Sequence, residues 1–306
     1  MTPRVAFRSL LVGLAVVVCD AGAFHAVTEP APEPVALGLY DWMATAPIVI
    51  AADIAADDSR FVKVVTRSAF KGALIVDSPV LVDLRQANRE RELGTPALDL
   101  AKGRAYLLLL KASPRGKKEP YPVFDLVRGV RGAKELPVEG SAATLAAVAR
   151  LSQVQERNND SFLWAALPDF LEDDNPVLVG AALDLYVKFH RETAGLIPVV
   201  SPLMEHPRPD VRRRAVLVLG RALRRADSAD LPERPEVVAE LSGRARRDDD
   251  LNVRREATTA LAALPDAGID ETLRAIARDD PDQNVRFEAE KALFDRSQAA
   301  AKKRSD

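Results

Sequence analysis

The chain has 306 residues, of which 47% are hydrophobic and 29% are charged. This composition excludes a mainly disordered chain and allows one or two packed domains. The net charge of −2 argues against a nucleic-acid-binding protein, because such proteins carry a basic excess that displaces counterions from phosphates.

Residues 1–23 have the pattern of an export signal. Arg4 and Arg8 make the start positive, residues 10–18 form an unbroken apolar run, and Ala21-Gly22-Ala23 is a small-residue cleavage site. The apolar run is roughly half of the ~20 residues that a membrane-spanning helix needs, so we expect cleavage before Phe24. The mature protein would then be periplasmic or extracellular, with no transmembrane segment.

Cys19 is the only cysteine and lies inside this signal. After cleavage no thiol remains for a disulfide, a metal ligand or a nucleophile. An alternative is a lipid anchor on Cys19, because residues 16–19 loosely resemble a lipoprotein box, although Val18 stands where that box needs a small residue.

Residues 24–45 are predicted to be a linker, because Pro30, Pro32 and Pro34 favour an extended chain.

Residues 46–140 carry short apolar runs separated by turn residues, which is typical of β-strands. In one run, Val80, Val82 and Leu84 alternate with more polar neighbours at a period of two. Five strands over some eighty residues predict a small barrel or sandwich. The predicted strands are residues 48–55, 60–68, 79–84, 104–111 and 121–128.

This β domain resembles the OB-fold module of netrin-like and tissue-metalloprotease-inhibitor-like proteins. The resemblance rests on residues 46–54, on Phe61-Val62-Lys63-Val64 leading to Phe70-Lys71-Gly72, and on residues 98–109. It implies that the domain could dock on a secreted hydrolase as a regulator or inhibitor. Those inhibitors coordinate the target's metal through an N-terminal cysteine, which the mature chain lacks.

From Ser141 the apolar period changes to 3.6, so residues 141–158 are predicted to form a connecting helix. A helical repeat follows, with copies that begin at Val177, Val211, Val253 and Val285, each preceded by another amphipathic stretch. The repeat resembles HEAT repeats and the related phycobilisome-lyase-type repeats. The predicted fold class is therefore α+β with two domains, a small OB-like or netrin-like barrel followed by an α-solenoid of about four HEAT-like helix pairs. The solenoid is assigned to residues 159–298 and a polar tail to residues 299–306.

Arginines recur at one position of the repeat, and aspartates recur in the turn before it. In the family that the repeats resemble, the matching arginine pairs with turn aspartates of neighbouring repeats as a structural contact. An alternative is that the arginines form a ladder for an anionic ligand. The residues of this proposed ladder are Arg212, Arg254 and Arg286, with Asp210, Asp250 and Asp282.

Solvent-facing positions of the second helices are candidates for recognition, because packing does not dictate their residue type. They would form a surface suited to an acidic protein segment or an anionic polymer, and the alternative is an ordinary charged helix face. The candidate protein-binding residues are Arg213, Arg214, Arg221, Arg255 and Phe287.

No catalytic, cofactor-binding or metal-binding residue is predicted. His25, His190 and His206 lack histidine partners at helical spacing, and no zinc-protease, serine-hydrolase or phosphate-loop motif occurs. The Asp248-Asp249-Asp250 run lacks the spaced ligands of a calcium loop. We therefore expect a non-catalytic scaffold or adaptor of the bacterial envelope that binds a protein partner and no nucleic acid. The alternatives are the hydrolase regulator and, from the phycobilisome-lyase-type resemblance, a lyase-type enzyme.

Overall fold

A computed structural model describes residues 38–57, 61–89, 98–115, 118–127, 129–136, 141–225, 228–266 and 268–305. The predicted signal peptide, Cys19 and the proline-rich part of the predicted linker lie outside the described residues. In the part of the chain that is described, no helix is both long and apolar enough to cross a membrane.

Five strands close into a barrel. Strands β1 (Ile48–Asp57), β2 (Val62–Lys71) and β3 (Pro79–Asp83) form an antiparallel meander, and β4 (Ala105–Ala112) and β5 (Val123–Leu126) follow. Strand β3 pairs with β5 in parallel, β5 pairs with β4, and β4 pairs back with β1. The prediction of a five-stranded β domain is confirmed, and the closed barrel fits the OB-like resemblance.

The barrel core is filled by alternate residues of the strands. Ile50, Val64, Val82, Leu108 and Phe124 are all buried in one hydrophobic cluster. Because these side chains come from all five strands, the alternation that the sequence shows is the pattern that closes the barrel around a common interior.

A sixth strand, β6 (Ala133–Leu136), was not predicted. It pairs with the first half of β4, beside the segment of β4 that pairs with β5. Within β6 only Leu136 is buried, while Lys134 and Glu135 are exposed. A four-residue strand with one buried side chain has no alternation that a sequence pattern could reveal.

Helix α1 (Leu39–Thr45) lies in the segment that was predicted to be a linker, and helix α2 (Leu84–Arg89) follows β3. The Lys71 side chain of β2 donates hydrogen bonds to the carbonyls of Met43 (3.1 Å) and Ala44 (3.4 Å) near the end of α1. Burial lowers the pKa of Lys71. Met43 is fully buried, so α1 is part of the folded body and the linker prediction is wrong for residues 39–45.

The connecting helix is present as α3 (Ser141–Glu156). It also contacts α1, because the Gln155 side chain donates a 2.6 Å hydrogen bond to the Tyr40 carbonyl. On its other side α1 meets the helical region, where Asp41 pairs with Lys188. Helix α1 is therefore held by the barrel and by the helices together.

Four helix pairs follow in the described residues. They are α4 (Asp160–Leu171) with α5 (Pro176–Lys188), α6 (Ile197–Val200) with α7 (Pro209–Leu223), α8 (Arg234–Arg247) with α9 (Leu251–Ala262), and α10 (Ile269–Asp279) with α11 (Gln283–Ser305). Helix α6 is short and flanked by 3-10 turns, because Pro198 and Pro202 interrupt regular helical hydrogen bonding. The predicted solenoid of helix pairs is confirmed, and α11 continues through the segment that was predicted to be a polar tail.

The recurring valines and alanines of the second helices form the buried seam. Val211, Val253 and Val285 are fully buried. Helices α7 and α9 pack closely at Gly220, where an added Cβ would lie 2.6 Å from the Cβ of Ala260. The seam therefore depends on small residues at the points where neighbouring second helices touch.

Candidate functional site

Arg212 and Arg254 each bind carbonyls of their own turn and a carboxylate of the next repeat. Arg212 on α7 donates to the carbonyls of His206 and Pro207 at 3.0 and 3.2 Å. It also donates to the carboxylate of Asp248, at the end of α8, at 2.9 and 2.7 Å, and to the exposed Asp249 at 2.5 Å. The side chains of Arg212 and Asp248 are more than nine-tenths buried, so this contact joins two consecutive repeats from the inside.

Arg254 on α9 repeats the arrangement. It donates to the Asp248 carbonyl at 3.0 Å and to the carboxylate of Asp280, at the end of α10, at 2.9 Å. Arg286 on α11 donates to the Asp280 carbonyl at 2.7 Å. Arg286 also donates to the Pro281 carbonyl at 3.2 Å, so it closes its own turn as Arg212 and Arg254 do.

The predicted partners of these arginines are wrong. Asp250 and Asp282 instead cap the helices that follow them, since each accepts hydrogen bonds from two backbone N–H groups of the next turn. Asp210 binds Arg208 and Arg214 of its own repeat. The true partners, Asp248 and Asp280, lie six residues before the arginine of their own repeat.

The sequence holds one sign of this pairing. The first repeat has Leu178 where the others have arginine, and the second repeat has His206 where the others have Asp248 or Asp280. Where Leu178 replaces the arginine, the next repeat therefore has no carboxylate at the matching turn position. Leu178 is buried, so an apolar contact takes the place of the ion pair there.

The pKa of Asp248 reflects the inter-repeat contact. Burial acts to raise this pKa, but the hydrogen bonds from Arg212 and from the backbone N–H of Asp250 outweigh it, and the pKa lies below its ordinary value. The hydrogen bond to Asp248 also raises the pKa of Arg212. The pair therefore stays charged inside the array.

Two of the candidate protein-binding arginines hold repeats together. Arg214 donates a 2.8 Å hydrogen bond to Asp184 of α5. Arg221 donates a 3.1 Å hydrogen bond to Glu192, which is buried beyond the end of α5. Both arginines are only partly exposed, so they bridge the first and second helix pairs and are not available as free surface charges.

The other candidate residues are more exposed. The side chain of Arg213 is 40% exposed and lies 3.9 Å from Glu256. Arg255 is exposed with a 3.5 Å contact to Asn252, and Phe287 is 63% exposed. Of the arginines that were predicted to bind a partner, Arg213 and Arg255 remain the accessible ones.

Arg213 lies at a cleft between the barrel and the helices. This junction cleft has a volume of about 200 Å³ and is bounded by α1, β6, α5 and α7. Its apolar wall consists of Leu39, Trp42, Pro176, Val177 and Ala181, and its cations are Lys134, Arg208, Arg213 and Arg214. Helix α1 supplies Trp42 and strand β6 supplies Lys134. Neither element was predicted from the sequence, because both are short.

Two carboxylates neutralise part of this cleft. Asp210 is bound by Arg208 through two hydrogen bonds of 2.9 and 3.0 Å, and Asp184 is bound by Arg214. Burial raises the pKa of Asp184, although the charge of Arg214 acts in the opposite direction. The cations with donors left for a ligand are therefore Lys134 and Arg213.

A family model described as HEAT repeats matches residues 197–293. The helix pairs are HEAT-like repeats. The match covers the last three helix pairs of the HEAT-like array, and HEAT repeats are typical of protein-interaction scaffolds. Comparisons with curated proteins and with solved structures found no match.

Among the described residues, no group of three or more histidine, cysteine, aspartate or glutamate side chains could hold a metal ion. His206 accepts a 3.0 Å hydrogen bond from the backbone N–H of Arg208, which gives it a structural role in the turn.

Proposed function

We propose that this protein is an exported, non-catalytic scaffold that holds an acidic segment of a partner protein in the junction cleft. The observation that carries the proposal is the position of Lys134 and Arg213 beside Trp42 in one cleft. The HEAT-like array supports it, since helical-repeat arrays present extended binding surfaces.

The distribution of arginines supports this choice of site. Arg212, Arg214 and Arg221 of α7 are bound to carboxylates of neighbouring repeats. Arg213 lines the junction cleft, where it lies 3.9 Å from Glu256 and its charge also acts on Asp184. Lys134 is exposed on β6. Two cations from separate domains therefore line the same cleft.

The chemistry of the cleft suits an acidic segment with an apolar residue. Tryptophan and arginine are enriched at the energetic centres of protein interfaces. A carboxylate of the partner would bind between Lys134 and Arg213, and an apolar side chain would pack on Trp42. Attraction by exposed cations weakens with ionic strength, so partner binding should decrease as salt increases.

The export part of the proposal rests on residues 1–23 and on their charge and apolar pattern. An exported chain without a thiol in its mature part needs no oxidative folding. The partner would accordingly be a protein of the bacterial envelope or of the extracellular space.

The test is capture of the partner from envelope extract by the purified chain and by the double variant K134E and R213E. We expect the variant to lose the partner that the natural chain recovers, because two attractive charges become repulsive. The exposed Arg274 of α10 supplies the control variant R274E, which should recover that partner as before. Equal recovery by all three proteins would contradict binding in the cleft.

A second candidate function is regulation of a secreted hydrolase through the barrel. The turn between β2 and β3 exposes Ile75 by 76% and Val76 by 48%. Its backbone is fixed, because the Asp77 N–H donates to the Thr66 carbonyl at 2.7 Å and the Ser78 N–H donates to the Ile75 carbonyl at 3.2 Å. Two results would favour this function over the scaffold. The captured partner would lose its hydrolase activity on binding, and the double variant I75S and V76S would no longer bind it.

A further inference from the structure

Helix α11 presents two large aromatic side chains to solvent. Phe287 is 63% exposed and Phe294 is 62% exposed. They are seven residues apart, so they lie on the same face of the helix, almost in line along its axis. The exposed Gln283 and Gln298 lie near the same line.

The orientation of α11 is fixed by its opposite face. Val285 and Ala289 are fully buried, and Ala292 is largely buried. Arg296 further anchors the helix by donating a 2.6 Å hydrogen bond to Asp270 of α10. A rotation that buried the two phenylalanines would expose this seam and break the ion pair, so the aromatic face remains outward.

The aromatic stripe on α11 has charges of opposite sign on its two sides. It is flanked by a negative charge on one side, Glu290, and by a positive charge on the other, Lys291. At 100° per residue these two positions lie about 50° to either side of the stripe.

We propose that this face binds the same face of a second copy of the chain, in a two-fold pair whose α11 helices run parallel. A two-fold axis along the helices brings opposite flanks of the two copies together. Glu290 of each copy then lies opposite Lys291 of the other, and the phenylalanines of the two copies pack against one another. An acidic partner, such as the one assigned to the junction cleft, would instead meet Glu290 and be repelled on that flank.

The expected interface is small. A buried phenylalanine contributes on the order of 150–250 Å², so the four phenylalanines of a pair supply less than the roughly 1,200 Å² of a standard stable interface. We therefore expect a reversible, concentration-dependent pair with a micromolar dissociation constant. Aromatic packing in the centre of the pair supplies most of the affinity.

The test is sedimentation velocity of the purified chain over about 1 to 100 µM, a range that spans the expected micromolar dissociation constant. The natural chain should shift from monomer to dimer across this range. The double variant F287Q and F294Q should weaken the dimer by at least about tenfold. The control F162Q, which changes an exposed phenylalanine of α4, should associate as the natural chain does.

Charge reversal tests the pairing of the flanks. E290K and K291E should each weaken association when measured alone, because each places like charges opposite one another. A mixture of the two single variants should associate again, and so should the chain that carries both changes. A natural chain that stays monomeric at 100 µM, or single reversals that associate as well as the natural chain, would overturn the proposal.

Discussion

The Arg212 side chain of one repeat and the Asp248 carboxylate of the next form a buried pair with two hydrogen bonds of 2.9 and 2.7 Å. Arg254 and Asp280 repeat it one unit further along. Since each arginine also donates to carbonyls of its own turn, one side chain sets both the turn geometry and the stacking of the next helix pair.

Removal of the Asp248 carboxylate should destabilise the array strongly. The variant D248A removes the buried counter-charge of Arg212, a loss that typically costs about 3–5 kcal/mol of unfolding free energy. The neighbouring Asp249 also contacts Arg212, but its side chain is 89% exposed, so D249A should change stability little. Urea denaturation of both variants measures the difference, and equal effects would contradict a dominant role for the buried pair.

The same pair should make stability depend on pH. The pKa of Asp248 is lower in the folded protein than its ordinary value, which is about 3.9 for an unfolded aspartate. At pH values above the unfolded-state pKa, the ionised Asp248 carboxylate therefore stabilises the folded state. This stabilisation is lost as the pH falls through the lower pKa of the folded state. The difference in unfolding free energy between the natural chain and D248N should shrink between about pH 5 and pH 2. A difference that stays constant over this interval would show that Asp248 does not titrate as inferred.

Two helix glycines should respond to alanine in opposite directions. In G220A the new Cβ would lie 2.6 Å from Ala260 of α9, so the two helices must separate, at a cost of about 1–3 kcal/mol. Gly243 of α8 has only the flexible end of Arg247 nearby, at 3.5 Å. There G243A should stabilise the protein by about 0.5–1 kcal/mol through helix propensity. Thermal unfolding distinguishes the two, and stabilisation by G220A would contradict the close packing.

The sequence predicted the fold wherever apolar residues recur at a regular period. The five barrel strands and the four helix pairs were found in this way, because the buried residues of each element repeat every two or every 3.6 positions. Helix α1 and strand β6 were missed because seven and four residues are too few to show a period. These two elements supply Trp42 and Lys134, so the cleft itself could not be predicted.

Side-chain partners were predicted less well than positions. The sequence placed Arg212, Arg213, Arg214 and Arg221 on one helix but could not show which way each points. A rotation of about 100° per residue sends Arg212 forward to the next repeat and Arg214 back to the previous one, and leaves Arg213 in the cleft. Charge reversal at Arg214 would therefore test stability rather than partner binding.

Export predicts a defined mature chain. Expression in a bacterial host with a secretory pathway should release a protein whose intact mass corresponds to a start at Phe24, because Ala21-Gly22-Ala23 fits the cleavage site. The variant C19S should be processed and released to the same extent. A lipid that is attached to the natural chain and absent from the C19S variant would instead show that the protein is anchored through Cys19.

The scaffold proposal is tested most directly by photo-crosslinking from the junction cleft in the cell that makes the protein. A photo-reactive phenylalanine derivative replaces Trp42 in one strain and Arg274 of α10 in another, and crosslinked peptides are identified by mass spectrometry. We predict that position 42 captures an acidic segment of one partner protein, that the K134E and R213E changes abolish this crosslink, and that position 274 does not capture it. Crosslinks from position 42 that form only within the chain itself, or that persist after both charge reversals, would contradict the proposal.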